Sequence, residues 1–464
     1  MDRVALAGTE RETGAVHPRG HSRRPSVVRL LIAALLVTMG GCTHFTPYHR
    51  AGLPPRVPAA APAAIDHRVV LIGDTGAPNP DGEPVLQLLA QRVRIMPERT
   101  TIVFLGDIVY ERGMPEPVSE AEKPLDAVAD AIDVVLPDVL ASRREAERQV
   151  RAQLSVVANT QVQALFVAGN HDWDQFEDAG GWQRILALEA FIRAEAKADH
   201  AKVALTPSGG CPGPVVVPLG TRGAVITLDT QWWIETRQDG KPTPNRNPTN
   251  CPYVTEADVR ARLLADLEAA ARAGRWTIVA AHHPLETEGP HGGFADFRSH
   301  LFPLRAIRHH LPFWLDWVPI PLLGSFSVWF RGCCSPSAQD LSHSRNRHMR
   351  RSLQFTFGDA EKKGVAPLVY AAGHDHSLQV FDGEPHHTRF TLVSGMGSRS
   401  SDVGSNRRTL FAHSTPFEPG FMEIDFLRDG SARLAVWEHD GKHAEGVEVF
   451  SLTLATGPPR LVDR

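Results

Sequence analysis

Five short stretches of the chain carry side chains that can hold metal ions: Gly73-Asp74-Thr75-Gly76, Gly106-Asp107-Ile108-Val109-Tyr110, Gly169-Asn170-His171-Asp172, His282-His283-Pro284 and Gly373-His374-Asp375-His376. Carboxylates, a phenol, a carboxamide and imidazoles together favour iron, zinc or manganese over magnesium, because hard oxygen donors are mixed with nitrogen. Two such ions roughly 3.5–4 Å apart bind a phosphate ester, polarise it and generate hydroxide at neutral pH. The arrangement needs one carboxylate shared between the ions, and Asp107 suits that role. Taken singly, each stretch is ordinary: Gly-Asp is a common turn, Gly-Asn-His fits a left-handed turn, and a His at a strand end is usually a hydrogen-bonded surface residue. All of them together, in this setting, point to a metal site.

The setting is the same each time. An apolar run precedes each stretch: Val69-Val70-Leu71-Ile72, Thr101-Ile102-Val103-Phe104-Leu105, Ala164-Leu165-Phe166-Val167, Thr277-Ile278-Val279-Ala280 and Leu368-Val369-Tyr370-Ala371. Such runs predict buried strands whose C-terminal ends deliver their ligands to one rim of a sheet. Strand-like segments after His376 (Leu378 to Phe381, Arg389 to Val393, Phe421 to Leu427, Ala432 to Glu438, Val447 to Leu454) predict a second sheet packed on the first. Between Tyr110 and Gln163, apolar residues at helical spacing (Leu125, Val128, Ile132, Val135, Leu136, Leu140), broken by Pro137, predict a helix pair covering the sheet. Further helices are expected from about Trp182 to Ala198 and from Glu256 to Ala273, the latter with Thr255 as N-cap.

The N-terminal residues read differently. A basic segment ending in Arg23-Arg24 and an apolar stretch from Val27 to Met39 predict an export signal, too short to span a bilayer comfortably. Met39-Gly40-Gly41-Cys42 resembles a bacterial lipobox, which implies a lipid anchor at Cys42; an ordinary secretory signal is the alternative, and a twin-arginine address fits poorly. The expected organisation is a signal over 1–41, a Pro/Ala-rich tether over 42–66, a catalytic body over 67–456 and a tail over 457–464. Export to the cell envelope or periplasm makes a bridge between Cys211 and Cys251 plausible. Adjacent Cys333 and Cys334 lack the second pair that a metal cluster needs.

From about 286 to 363 the strand–helix rhythm fails. An apolar, Arg-, Pro- and Trp-rich insertion, centred on 313–330, reads either as a segment that touches the membrane or lids the site, or as a locally packed hydrophobic excursion. His291, Arg298, His300 and Arg305 lie within it, and their spacing does not raise them above solvated surface. A net charge of -4 gives no general nucleic-acid footprint.

The five motifs in this order resemble those of the calcineurin-like metallophosphoesterases, over roughly His67 to His376. Within that superfamily they are most similar to the purple acid phosphatases: Gly76 stands where many relatives carry a metal-binding His, and Tyr110 stands where those enzymes carry a tyrosinate ligand to ferric iron. The resemblance implies an α/β fold of two packed mixed sheets flanked by helices, and a centre of two metal ions, iron with zinc, manganese or a second iron. It implies that one ion is held by Asp74, Asp107, Tyr110 and His376, and the other by Asp107, Asn170, His282 and His374. His282 is chosen over His283 because Pro284 fixes the family frame of His, any residue, Pro. The resemblance also implies that a metal-bound hydroxide attacks a phosphate bridged between the ions, with His171 near the leaving oxygen as acid or orienting group and Asp172 as its partner. Ile108 departs from the phosphatase pattern, which has Asn there, and leaves the substrate class open. The leading expectation is a phosphate-ester hydrolase. The alternatives are a phosphodiesterase of nucleotides or lipid head groups, and a membrane-tethered binding module without turnover.

Overall fold

The fold is given by a computed structural model, which describes residues 46–53, 56–117, 139–174, 181–198, 202–235, 251–253, 255–304 and 318–459. The expected signal, Cys42 and most of the helical stretch after Tyr110 lie outside these residues, as do 305–317. In chain order the elements are β1 (Tyr48–His49), β2 (Ile65–Ile72), α1 (Pro84–Val93), β3 (Thr100–Phe104), α2 (Val139–Leu154), β4 (Gln163–Phe166), α3 (Gly181–Ala198), β5 (Lys202–Leu205), β6 (Val215–Leu219), β7 (Gly223–Thr227), α4 (Thr230–Glu235), α5 (Glu256–Arg272) and β8 (Trp276–Ala280). There follow α6 (Phe297–Leu301), α7 (Pro321–Cys334), α8 (Ser344–Lys362), β9 (Val369–Ala372), β10 (Leu378–Asp382), β11 (Phe390–Ser394), β12 (Thr409–His413), β13 (Gly420–Leu427), β14 (Ala432–Glu438) and β15 (Val447–Ala455).

The apolar runs lack the alternation of a half-exposed strand because both of their faces are covered. Val69 and Leu71 of β2 join the cluster between the sheets, with Val103 of β3 and Ile278 and Ala280 of β8. Val70 and Ile72 point the other way, into a cluster with Val85 and Leu89 of α1, Val150 of α2 and Leu188 of α3. On the far side, Val279 and Tyr370 meet Leu263 of α5 and Met349, Leu353 and Phe357 of α8. The result is a four-layer stack of helices, two sheets and helices.

One sheet runs β15-β14-β13-β2-β3-β4-β5 and the other β1-β12-β10-β11-β9-β8-β7-β6. This corrects the expected division. The ligand strands do not share one sheet with the later strands forming a second; β2, β3 and β4 lie in one sheet, and β8 and β9 in the other. The later strands extend both sheets, β13 pairing antiparallel with β2 and β11 parallel with β9. Both sheets run β→α→β parallel at their centres, so their C-terminal ends reach the same edge of the sandwich.

Other expectations resolve as follows. Thr255 caps α5, its Oγ1 accepting from Asp258 N at 3.2 Å. Cys211 and Cys251 are joined by a disulfide. Within the stretch expected as a tether, Tyr48 and His49 pair with Ala412 and Phe411, so this part lies along the sandwich. The expected insertion ends in a regular helix, α8. α8 buries Met349, Leu353, Phe357 and Ala360 against the sheet as an ordinary flanking helix; its apolar residues at i, i+4 and i+8 were masked by the many arginines between them. Among the described residues no helix is long and apolar enough to cross a membrane.

Candidate metal centre

The loops that leave β2, β3, β4, β8 and β9 meet at one edge of the sandwich, and glycines let them meet. A Cβ on Gly106 would lie 2.3 Å from His282 Nδ1, and one on Gly169 would lie 2.2 Å from Asp107 Oδ1. No larger residue fits between the loops there. Asp74, Asp107 and His374 themselves adopt left-handed backbone angles, with φ of 59°, 53° and 71°. Such strain, costly for ordinary residues, persists where the surroundings over-determine it. Here the loops are stitched to one another: Asp74 N donates to Gly106 O, Gly76 N to Asp107 O, and His374 N to Asp74 Oδ2 at 2.8 Å.

Six of the seven predicted donors fall into two groups with Asp107 beside them. In the first group, Tyr110 Oη lies 3.0 Å from Asp74 Oδ1 and 3.2 Å from His376 Nε2, which is itself 3.5 Å from Asp74 Oδ1. In the second, Asn170 Oδ1 lies 2.8 Å from His282 Nε2 and 2.9 Å from His374 Nδ1, and those two nitrogens are 3.2 Å apart. Asp107 Oδ1 is 3.4 Å from His282 Nε2. One ligand atom from each of Asp74, Asp107 and His282 lies within 4.8 Å of the other two.

The second group can be read for protons. His282 Nδ1 is 2.8 Å from the carbonyl of Leu105, so Nδ1 donates there and the neutral ring presents a lone pair at Nε2. His374 Nε2 is 3.0 Å from the carbonyl of Gln339, so Nε2 donates and the lone pair is at Nδ1. Both lone pairs, and those of Asn170 Oδ1, point into the same space. Acceptors facing acceptors at hydrogen-bond distance repel unless a cation lies among them, and the donor set therefore fits a metal ion. Burial supports this, because it pushes His374 well below its ordinary range and His376 down to about 4, so both rings are neutral. It also pushes Asp74 up to about 7, the neighbouring Asp107 adding to the effect. A cation held by Asp74 and Asp107 would remove the conflict between them.

His283 borders this group, one of its nitrogens lying within 4.8 Å of those of His282 and His374, but its own nitrogens are engaged elsewhere, Nδ1 2.9 Å from Thr230 Oγ1 and Nε2 2.7 Å from Gln339 Oε1. His171 sits at the mouth, its Nε2 4.0 Å from Asp107 Oδ2 and its Nδ1 2.6 Å from the carbonyl of Glu111. Asp172 does not take the expected place as the partner of His171. Its carboxylate accepts from Ile108 N, Val109 N and Gly169 N at 2.8–3.1 Å, tying the Asp107 loop to the Asn170 loop. Ile108, where the resemblance led one to expect Asn, is buried among apolar side chains beneath the loop.

Two neighbours of the site, His291 and Arg399, were not legible in the sequence. His291 stacks on His374 with ring centroids 4.1 Å apart, and its Nδ1 is 2.7 Å from Asp340 Oδ1. Arg399 lies over the Tyr110 ring, 3.9 Å from its centroid, and pairs with Glu111. Neither follows an apolar run, so no strand-end signal marks them. A Pro-His-Gly-Gly turn nine residues beyond His282 was the one cue to His291. Asp375, between the two histidines of its motif, accepts from Thr287 Oγ1 at 2.6 Å and so holds the loop that carries His291.

The family model described as calcineurin-like phosphoesterase matches residues 67–332. Among solved structures the chain is similar to GAP50, the anchor in the inner membrane complex of Plasmodium, with a TM-score of 0.45 and 16% identity over 83% of this chain and 88% of that one. It is also similar to the purple acid phosphatase PPD1 from yellow lupin (Lupinus luteus) seeds, with a TM-score of 0.43 and 12% identity over 83% of this chain and 53% of that one. A dimetal phosphatase from Danio rerio matches with a TM-score of 0.36 and 14% identity over 84% of this chain and 99% of that one. No curated protein sequence matches the chain.

The position of Asp172 gives a direct expectation. Asp172→Ala leaves three buried backbone N–H groups without an acceptor, at about 1–3 kcal/mol each. Urea unfolding is expected to show a loss of at least about 3 kcal/mol, accompanied by loss of bound metal as the Asp107 and Asn170 loops separate. An unchanged midpoint with full metal content would refute the tie.

Proposed function

The chain belongs to the calcineurin-like phosphoesterase family, and we propose that it is a metal-dependent hydrolase of phosphate esters with a dinuclear centre, of the purple acid phosphatase type. The observation that carries this reading is the pair of donor groups with Asp107 beside both. Asp74, Tyr110 and His376 would hold one ion and Asn170, His282 and His374 the other, with Asp107 shared. A set this complete argues against a binding module that has lost turnover. When bound, the ions supply Lewis acidity and hydroxide at neutral pH.

The remaining roles fall to the chain's own groups. Tyr110 offers a phenolate, a strong donor for ferric iron, and favours iron in the site it shares with Asp74. His171 donates through Nδ1 to the carbonyl of Glu111, which leaves Nε2 facing the centre to carry a transferable proton. In the protonated ring, Nε2 would give that proton to the departing ester oxygen. The carbonyls of Leu105 and Gln339 fix the tautomers of His282 and His374, as orienting partners of metal-binding histidines do. The export signal read from the sequence, with Cys42 as its acylated end, would place the protein in the cell envelope. A second reading, a phosphodiesterase of lipid head groups, is favoured by the apolar surface of α7 beside the site.

Three experiments test the assignment. Asp107→Asn is expected to lose both metals by elemental analysis and to slow hydrolysis of p-nitrophenyl phosphate by roughly 10³-fold or more, since several kcal/mol of transition-state stabilisation go with the shared ligand; retained turnover sinks the mechanism. His171→Ala should slow esters with poor leaving groups by roughly 10²-fold or more and good leaving groups much less. Equal losses argue against an acid. The protein purified with iron should absorb in the visible through phenolate-to-iron charge transfer, and Tyr110→Phe should abolish the band. A colourless protein of full activity excludes the ferric assignment.

A further inference from the structure

α7 is amphipathic with its faces reversed. At about 100° per residue, Leu322, Leu323, Phe326, Trp329 and Phe330 fall on one arc of roughly 120°, and that arc faces solvent. Leu322 is 77% exposed, Phe326 59% and Trp329 62%. The inward residues are small: Gly324, Ser325 and Val328. α6 packs there so closely that a Cβ on Gly324 would lie 2.1 Å from the carbonyl of His300. The helix is fixed by that contact and by polar ties at its end, where Arg331 donates twice to Asp340 at 2.8 Å and Ser342 Oγ donates to Arg331 O. Among the described residues the ties that hold α7 thus come from its small and polar side chains, while Leu322, Phe326 and Trp329 stay largely exposed.

We propose that the outward face of α7 docks onto the anionic surface of a lipid bilayer. Three observations favour that occupant. Trp, Phe and Leu on one stripe match the mixed aromatic and aliphatic chemistry of the bilayer interface. Arg345, Arg347 and Arg351, all exposed, open α8 directly after the loop that Asp340 and Ser342 bind to α7, and a bilayer with anionic head groups complements them. Five side chains also fall far short of the roughly 20–30 residues a side of a stable protein–protein interface, whereas a membrane needs only a stripe.

Docking bears on the metal centre through a short path. Arg331 pairs with Asp340, Asp340 with His291, and His291 stacks on His374. A bilayer against α7 would thus lie beside the mouth of the site. The docking claim stands whatever that site hydrolyses.

The test is hydrogen exchange of residues 321–334 in the full chain, with and without vesicles of phosphatidylcholine and phosphatidylglycerol. Exchange there is expected to slow about tenfold on the mixed vesicles, and much less on phosphatidylcholine alone. Trp329→Phe is expected to reduce the quenching of fluorescence by brominated lipid. Phe326→Ser/Trp329→Ser should abolish the slowing while keeping turnover of p-nitrophenyl phosphate, which reports an intact fold. Unchanged exchange on mixed vesicles overturns the proposal, as does equal slowing on neutral ones. Slowing that instead follows protein concentration without lipid also overturns it, because a second copy is then the occupant.

Discussion

The molecule is arranged around a repulsion. Asn170 Oδ1, His282 Nε2 and His374 Nδ1 present lone pairs to one another at 2.8–3.2 Å, beside two buried carboxylates. Left to themselves these groups would move apart or take up protons. They are kept together because each is fixed from behind: His282 by Leu105 O, His374 by Gln339 O, and Asp74 by His374 N. Every loop that bears a ligand is in turn anchored to a strand with both faces buried. The core thus offsets in advance the free energy of gathering the donors, which a bound metal ion would recover.

That constraint explains the sandwich. One sheet edge presents too few neighbouring loops at the right separation, so β2, β3 and β4 supply one side and β8 and β9 the other. The cluster between the sheets sets their spacing and hence the gap in which the donors face each other. Gly106 and Gly169 are required for the same reason: the backbone of one sheet's loops must approach side chains from a neighbouring loop closer than any Cβ allows.

The strands and the donors were legible because both leave local marks. A doubly buried strand gives an unbroken apolar run, and a Gly-ligand pair at its end gives a motif. The distribution of those strands between two sheets was not legible, since every run has the same pattern and nothing in Val69–Ile72 or Thr277–Ala280 records which neighbour it pairs with. Asp172 misled for a different reason. Its adjacency to His171 suggested a side-chain pair, but the turn at Asn170 directs its carboxylate back toward Ile108 N and Val109 N. His291 and Arg399 arrive from loops whose course depends on tertiary contacts such as Asp375 with Thr287, and no local spacing encodes them. α8 was hidden by its arginines, whose exposed positions diluted a regular buried stripe.

α7 poses the opposite problem, because its sequence looked like core and its structure is not. A helix that folds by burying its apolar face would place Phe326 and Trp329 inward and its serines outward; here Gly324 and Ser325 are inward, and the aromatics pack on one another at the surface. The close crossing at Gly324 requires a small inward face, so the orientation is imposed by sterics and not by a failure to find the core. A stripe of large apolar groups held out in this way leaves Leu322, Phe326 and Trp329 mostly in water. On the docking proposal, its free-energy return comes from the bilayer. The Arg331–Asp340–His291 path would then put that surface next to the imidazole that faces Asn170, which is where the location of a substrate would matter most.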